Sequence, residues 1–352
     1  MNMQTTTSVH SPLDHARMLI KNTQRETSAA LAVNLYAQLL CMSALRLLSI
    51  ASTASWISLL LIVPAAVGAY FLSAFAVKKK SCPRGVLAGF ALLFWMDMAV
   101  QLFALTELVC AYVLPQAPRS AVVLFAAFSV TLLMGGRAHG GAARAAYLLR
   151  GFFLLAVIVC FLFSVRESNT GFLYPILGYG AGQTARGAVY MLGGVWSIAA
   201  LPVIAHNKGD GVRKNLHTAV HPLLSLLLLT LLLFSYACLL PSPLLPGDWG
   251  FVLRLQLLME MSPNTLAWSL MLISRMLLFL TAFSVSGDFA RLLLCHAFKK
   301  RRVPLWPMAL CCVPVSILGV ARVESVLSNL LTLRFPLAVI LVLTLLLKKE
   351  VA

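Results

Sequence analysis

Apolar residues fall into long runs separated by short polar gaps. The runs are Ala29–Ile50, Ser55–Val77, Gly85–Val113, Ser120–Met134, Gly151–Val165, Ala185–Ala205, Leu216–Leu240, Thr265–Ser286, Pro304–Gly319 and Leu330–Leu347. Most approach or exceed the ~20 residues that cross a ~30 Å hydrocarbon core. Lipid offers backbone amides no partner, so segments this apolar must be helices. The pattern predicts an all-α integral membrane protein with ten transmembrane helices. Residues 1–28 form a polar tail, 29–347 the membrane domain and 348–352 a second short tail.

Composition supports the pattern: of 352 residues, 60% are hydrophobic and only 11% charged. The charge that remains is unevenly placed. Lys78, Lys79, Lys80 and Arg84 fill the second gap, Arg137, Arg144 and Arg150 the fourth, and Lys208, Arg213 and Lys214 the sixth. Arg291, Lys299, Lys300, Arg301 and Arg302 fill the eighth, with Arg17, Lys21 and Arg25 before the first run and Lys348 and Lys349 after the last. The opposite gaps hold only Arg119, Arg166, Arg186, Arg254, Arg322 and Arg334. By the positive-inside rule both termini are expected in the cytoplasm. The net charge of +17 then sets topology and meets anionic headgroups, and nucleic-acid binding is not expected. The polar first 28 residues contain no signal-peptide pattern, so the first run doubles as the insertion signal. Five is odd, so runs one to five and six to ten have opposite orientations, which permits a 5+5 inverted repeat.

Catalytic signatures are absent. There is no Ser/His/Asp arrangement, phosphate-binding loop or dinucleotide fingerprint, and the cysteines and histidines fit no metal-ligand spacing. An enzyme is therefore not expected, and neither cofactor nor metal is implied. Candidate chemistry lies instead in charges inside the runs: Arg46, Asp97, Glu107 and Arg275. Such groups are costly in lipid and face partners, water or a site. Their depth allows two pairs, Arg275 with Asp97 and Arg46 with Glu107, the alternative for the second being escape to the outer headgroups. In the sixth run, Gly193-Gly194 offers either a point of unwinding that exposes backbone to a ligand or a close helix–helix contact.

The segment NTGFLYPILGYGAGQTARGAVYMLGGVWSIAALP (Asn169–Pro202) resembles the loop and sixth helix of the spore germination permeases. These are the B subunits of nutrient germinant receptors, in the amino acid/polyamine/organocation superfamily. Four further pieces fit in order: ASWISLLLIVPAAVG (Ala54–Gly68), YVLPQAPRSAVVL (Tyr112–Leu124), GGRAHGGAARAAYLLR (Gly135–Arg150) and FVLRLQLLMEM (Phe251–Met261). One departure is that helix one lacks the Gly that commonly unwinds it and offers Ser43 and Ala44 instead. The resemblance implies a 5+5 inverted-repeat (LeuT/APC-like) bundle and a receptor subunit in the inner membrane of the spore. That subunit would bind a small nutrient, in the first instance an amino acid, and signal through A-type and C-type partner subunits. A secondary amino acid or organocation transporter is the alternative. The implied ligand site lies between helices one and six, at Gly193, Gly194, Ser43, Arg46, Trp196 and Ser197. Arg275, a permanent cation on helix eight beside Ser269, Ser274, Thr281 and Ser284, is expected to hold Asp97 and to disfavour sodium there.

Overall fold

A computed structural model describes residues 12–79, 82–135, 141–167, 169–174, 176–207, 216–239, 265–299 and 320–347. All regular structure among them is helical. The helices are α1 (Pro12–Met42), α2 (Leu48–Ala51), α3 (Ser55–Lys79), α4 (Arg84–Leu108), α5 (Arg119–Gly135), α6 (Gly141–Glu167), α7 (Ala181–Asn207), α8 (Leu216–Leu239), α9 (Thr265–Phe298) and α10 (Val320–Leu347). Among the described residues, seven helical stretches are long and apolar enough to cross a membrane. The first of them, Arg25–Val77, has 53 residues and would measure about 80 Å if straight, far beyond one crossing. A turn at Ser52–Ala54 divides it. The expected ninth run, Pro304–Gly319, lies outside the described residues.

Local chemistry sets the helix ends. Pro83, extended at φ −66° and ψ 148°, precedes α4, and its carbonyl accepts from Val86 and Leu87. Pro118 opens α5 in the same way through Ala121 and Val122. A proline suits such a position because its missing N–H would have had no helical partner. Asn169 accepts from the Gly171 amide at 2.9 Å and caps the short 3-10 turn Thr170–Leu173. Gly178, at φ +56°, lies so near Ala51 that a Cβ there would collide with its carbonyl oxygen. The loop ahead of α7 thus seals the end of α2 with bare backbone.

Polarity is arranged inside out. Phe125, Phe128, Leu148, Val189 and Leu227 face outward, as lipid contact requires, while Asn34, Gln38, Asp97, Gln101, Ser286 and Arg334 are buried. α1 runs through the middle, packed on α4, α6, α7, α8 and α9. α9 lies along α4 and α7 along α3, with α10 closing against α7 and α4. An aromatic cluster joins three of these helices. Trp196 of α7 stands edge-on to Phe94 of α4, with centroids 4.7 Å apart, and Phe94 meets Phe289 of α9 at 5.4 Å.

Three helices run past their apolar cores. α1 begins 17 residues before Ala29, and α9 continues 12 residues beyond Ser286. α10 likewise begins at Val320 rather than Leu330. This last difference moves one charged residue from the surface into the protein interior.

Candidate functional site

That residue is Arg334. It lies 14 positions into α10, about 21 Å along the helix, and it is fully buried. Its guanidinium forms an ion pair with Asp97 of α4, itself fully buried, through Nη1 and Oδ1. Its Nη2 lies 3.6 Å from the sulfur of Met42, and its Nε donates to the Leu331 carbonyl at 3.4 Å. The second carboxylate oxygen accepts from Gln38 Nε2 and, at 3.4 Å, from Asn34 Nδ2. The Trp196 indole stands near this carboxylate, its buried Nε1 without a hydrogen-bond partner among the described residues. Gln101 Nε2 donates to Asn34 Oδ1. The Ser286 hydroxyl lies 2.8 Å from that same oxygen and 3.1 Å from Gln101 Oε1, and donates to one at a time.

Five helices therefore meet at one polar cluster: Asn34 and Gln38 from α1, Asp97 and Gln101 from α4, Trp196 from α7, Ser286 from α9 and Arg334 from α10. A buried ion pair survives only when its desolvation is offset by close geometry and by hydrogen bonds to the remaining lone pairs. The amides of Asn34 and Gln38 supply those bonds. The pair is neutral as a unit. Gln38 Oε1 and Ser197 Oγ, both buried, have no hydrogen-bond partner among the described residues.

Just beyond this cluster the first membrane helix changes form. Ser43–Leu47 is a π-helical turn between α1 and α2, a distortion common at functional sites. The Ser43 hydroxyl donates to the Leu39 carbonyl at 2.7 Å. α2 then ends at Ser52, whose φ of 50° is rare for a residue with a side chain.

The expected pairings differ from these. Arg275 does not meet Asp97: it donates to the Tyr36 hydroxyl at 2.8 Å and lies 5.4 Å from the ring centroid. Arg334, entering from α10, takes the carboxylate instead. Glu107 pairs with Arg119 rather than Arg46, because Arg119 opens α5 directly across the turn from the end of α4. Arg46 is exposed, and its Nη1 donates to Asn329 Oδ1 at 3.3 Å. Gly193-Gly194 does not unwind: α7 is continuous from Ala181 to Asn207. A Cβ on Gly193 would strike the backbone of α10, with the Leu331 carbonyl carbon only 2.8 Å away, and one on Gly194 would lie 2.6 Å from Leu39 Cδ2 and 3.1 Å from the Met42 sulfur. The pair serves close packing. Trp196 and Ser197 are buried on the same helix, and Ser43 lies in the π turn.

A model of the spore germination protein family matches residues 85–242, which include α4 to α8. Over that stretch the chain is similar to the spore germination proteins. No curated protein matches the sequence. Two variants of a manganese transporter from Eremococcus coleocola are similar in structure, with TM-scores of 0.56 and 0.53. Each is 15% identical, over 96% of this chain and 79% of the transporter. At that identity the likeness is one of fold, a transporter-like architecture, and the seven long apolar helical stretches among the described residues make the chain an integral membrane protein.

Sequence reasoning found Asp97 but missed most of its partners. Asn34/Gln38 and Asp97/Gln101 are each spaced i, i+4, which puts both members on one helix face. Polar pairs at that spacing in otherwise apolar helices were the available signal. Arg334 carried no such mark, because hydropathy places the start of its run only four residues earlier.

Proposed function

We propose that this chain is the membrane subunit of a spore nutrient-germinant receptor, binding a small nutrient within the bundle and signalling through A-type and C-type partner subunits. The observation that carries the reading is the neutralised centre of a chain similar to the spore germination proteins. Arg334 already occupies Asp97, so the carboxylate at the heart of the bundle is neutralised from within the chain. A divalent ion would find no uncompensated negative charge there, because the guanidinium already neutralises the carboxylate. A neutral centre suits a zwitterion, and an amino acid is the nutrient we favour. Its charged groups would meet the π turn at Ser43–Leu47 and the open acceptors Gln38 Oε1 and Ser197 Oγ, with Gly194 and Trp196 setting the shape behind them. Gly193 serves by holding α10 close, and Arg46 by anchoring the outer end of the turn to Asn329. Ten spans in a 5+5 repeat, with both termini cytoplasmic and the chain in the inner spore membrane, complete the proposal.

The test uses spores carrying the chain together with its partner subunits. Gly194→Leu should abolish the response to an amino acid mixture while the protein still inserts. A normal dose–response in that variant would remove the site from α7. Transport is the second reading, favoured by the fold shared with a manganese transporter. Liposomes containing the purified chain alone should accumulate neither amino acid nor manganese; uptake of either would replace the receptor by a transporter.

A further inference from the structure

A cavity of about 280 Å³ opens between α1, α6 and α8, away from the central cluster. Its lining is graded. At one end stand Arg150, His221 and Ser225, with Ala29 beside them; at the other stand Tyr36, Val157, Leu228 and Leu278. From Ala29 to Tyr36 the slot follows α1 for about 10 Å. Charge is concentrated at its mouth. Arg25 joins Arg150 within electrostatic range of His221. Arg150 lies 3.9 Å over the Tyr147 ring, and no carboxylate pairs with it among the described residues. The neighbouring acid, Glu26, is engaged by Arg144 at 3.6 Å.

We propose that this slot binds one anionic phospholipid, with the headgroup phosphate at Arg150 and His221 and an acyl chain running inward past Phe153 and Val157 to Leu228. Basic groups between membrane helices are the recognised chemistry for acidic headgroups, and long apolar walls suit only a chain. A soluble anion would leave those walls unfilled, and a zwitterionic lipid would set its choline or ethanolamine cation against two guanidinium groups. On the orientation proposed above, the site faces the cytoplasmic leaflet. Its floor is firm: the Tyr36 hydroxyl accepts from the buried Arg275, so the residue that closes the slot is fixed from α9.

The experiment compares phosphatidylglycerol with phosphatidylcholine on the purified full-length chain, counting retained lipid by native mass spectrometry. The unmodified chain should retain phosphatidylglycerol at least fivefold better. R150Q combined with H221Q should erase that preference, whereas R144Q, on the exposed side of the same helix, should leave it intact. Gly151→Phe provides the steric arm. A Cβ at Gly151 meets no atom within 4 Å, so the ring enters the slot without disturbing the fold and should block lipid with every charge still present. Equal retention of the two lipids, equal loss in R144Q, or full binding by Gly151→Phe would each overturn the proposal. Displacement of the lipid by glycerol phosphate alone would overturn it too, by reducing the site to a headgroup contact. The unmodified chain gives an independent check. Phosphatidylglycerol carrying a photoreactive acyl chain should label Phe153, Val157 or Leu228, and labelling confined to other surfaces would sink the assignment.

Discussion

α1 and α7 cross at the centre of the bundle and behave opposite to their sequences. From Ala29 to Ala54 the chain has neither glycine nor proline, yet it passes through a π turn and a positive-φ serine. α7 contains Gly182, Gly187, Gly193, Gly194 and Pro202, yet runs unbroken. The Ser73 hydroxyl of α3, which donates to the Ala199 carbonyl at 2.6 Å, braces its backbone near the proline. Local propensity is a weak guide where tertiary contacts decide. The glycines of α7 are spent on proximity, letting α10 and α1 come close. The break in α1 is imposed from outside, by a polar cluster on one side and the loop at Gly178 on the other.

The contrast can be attacked most strongly at Arg334, which reaches Met42 of α1 and bonds the Leu331 carbonyl of its own helix, where Gly193 of α7 packs. Arg334→Leu leaves the Asp97 carboxylate buried and unpaired, so stability should fall by about 3–5 kcal/mol. Thermal unfolding in detergent would measure it, and Asp97→Leu in the same chain should restore most of the loss. A second change with no recovery would mean that the cluster does not act as one unit. Next comes Gly193→Ala. The methyl group meets the backbone of α10, which cannot swing aside, and the overpacking should cost about 1–3 kcal/mol. Gly194→Ala sharpens the point, because it meets only the flexible ends of Leu39 and Met42. Its cost should stay below about 1.5 kcal/mol, and an equal or larger loss than at Gly193 would reverse the roles assigned to the two glycines. The smallest effect is expected from Arg46→Ala. An exposed side chain with one hydrogen bond should change stability by no more than about 0.5 kcal/mol, so a large destabilisation would show the outer end of the π turn to be held there rather than at the cluster.

Much of the architecture was legible because lipid imposes it. Long apolar runs had to be helical, and the runs that fall within the described residues are helices. The deep charge at Asp97 announced an internal partner, since burial without one is prohibitive. Which partner it takes was not legible. Arg275 and Arg334 both sit on helices that reach Asp97, and only the rotation of α9 and α10 decides between them. Arg275 turns to Tyr36; Arg334 turns inward. Rotation depends on packing of many side chains at once, including the contact of Gly193 with Leu331, and no single segment encodes it. Arg46 and Glu107 failed for a simpler reason. Depth along a helix says nothing of lateral position, and Arg119 stood closer to Glu107.

The Asp97–Arg334 pair has a consequence for biosynthesis. Its members are 237 residues apart in the chain, and at 5–20 residues per second a ribosome needs about 12 to 47 seconds to travel between them. Throughout that interval α4 must lodge in the bilayer with its carboxylate but without its guanidinium. α1 has emerged by then, however, and Asn34 and Gln38 come with it. Because both amides are made before α4 and donate to Asp97 in the folded chain, they are placed to shield it before α10 is made. Once Arg334 has closed the cluster, the nascent bundle acquires a latch that its first nine-tenths could not make, and a chain truncated before α10 would enter the membrane without it.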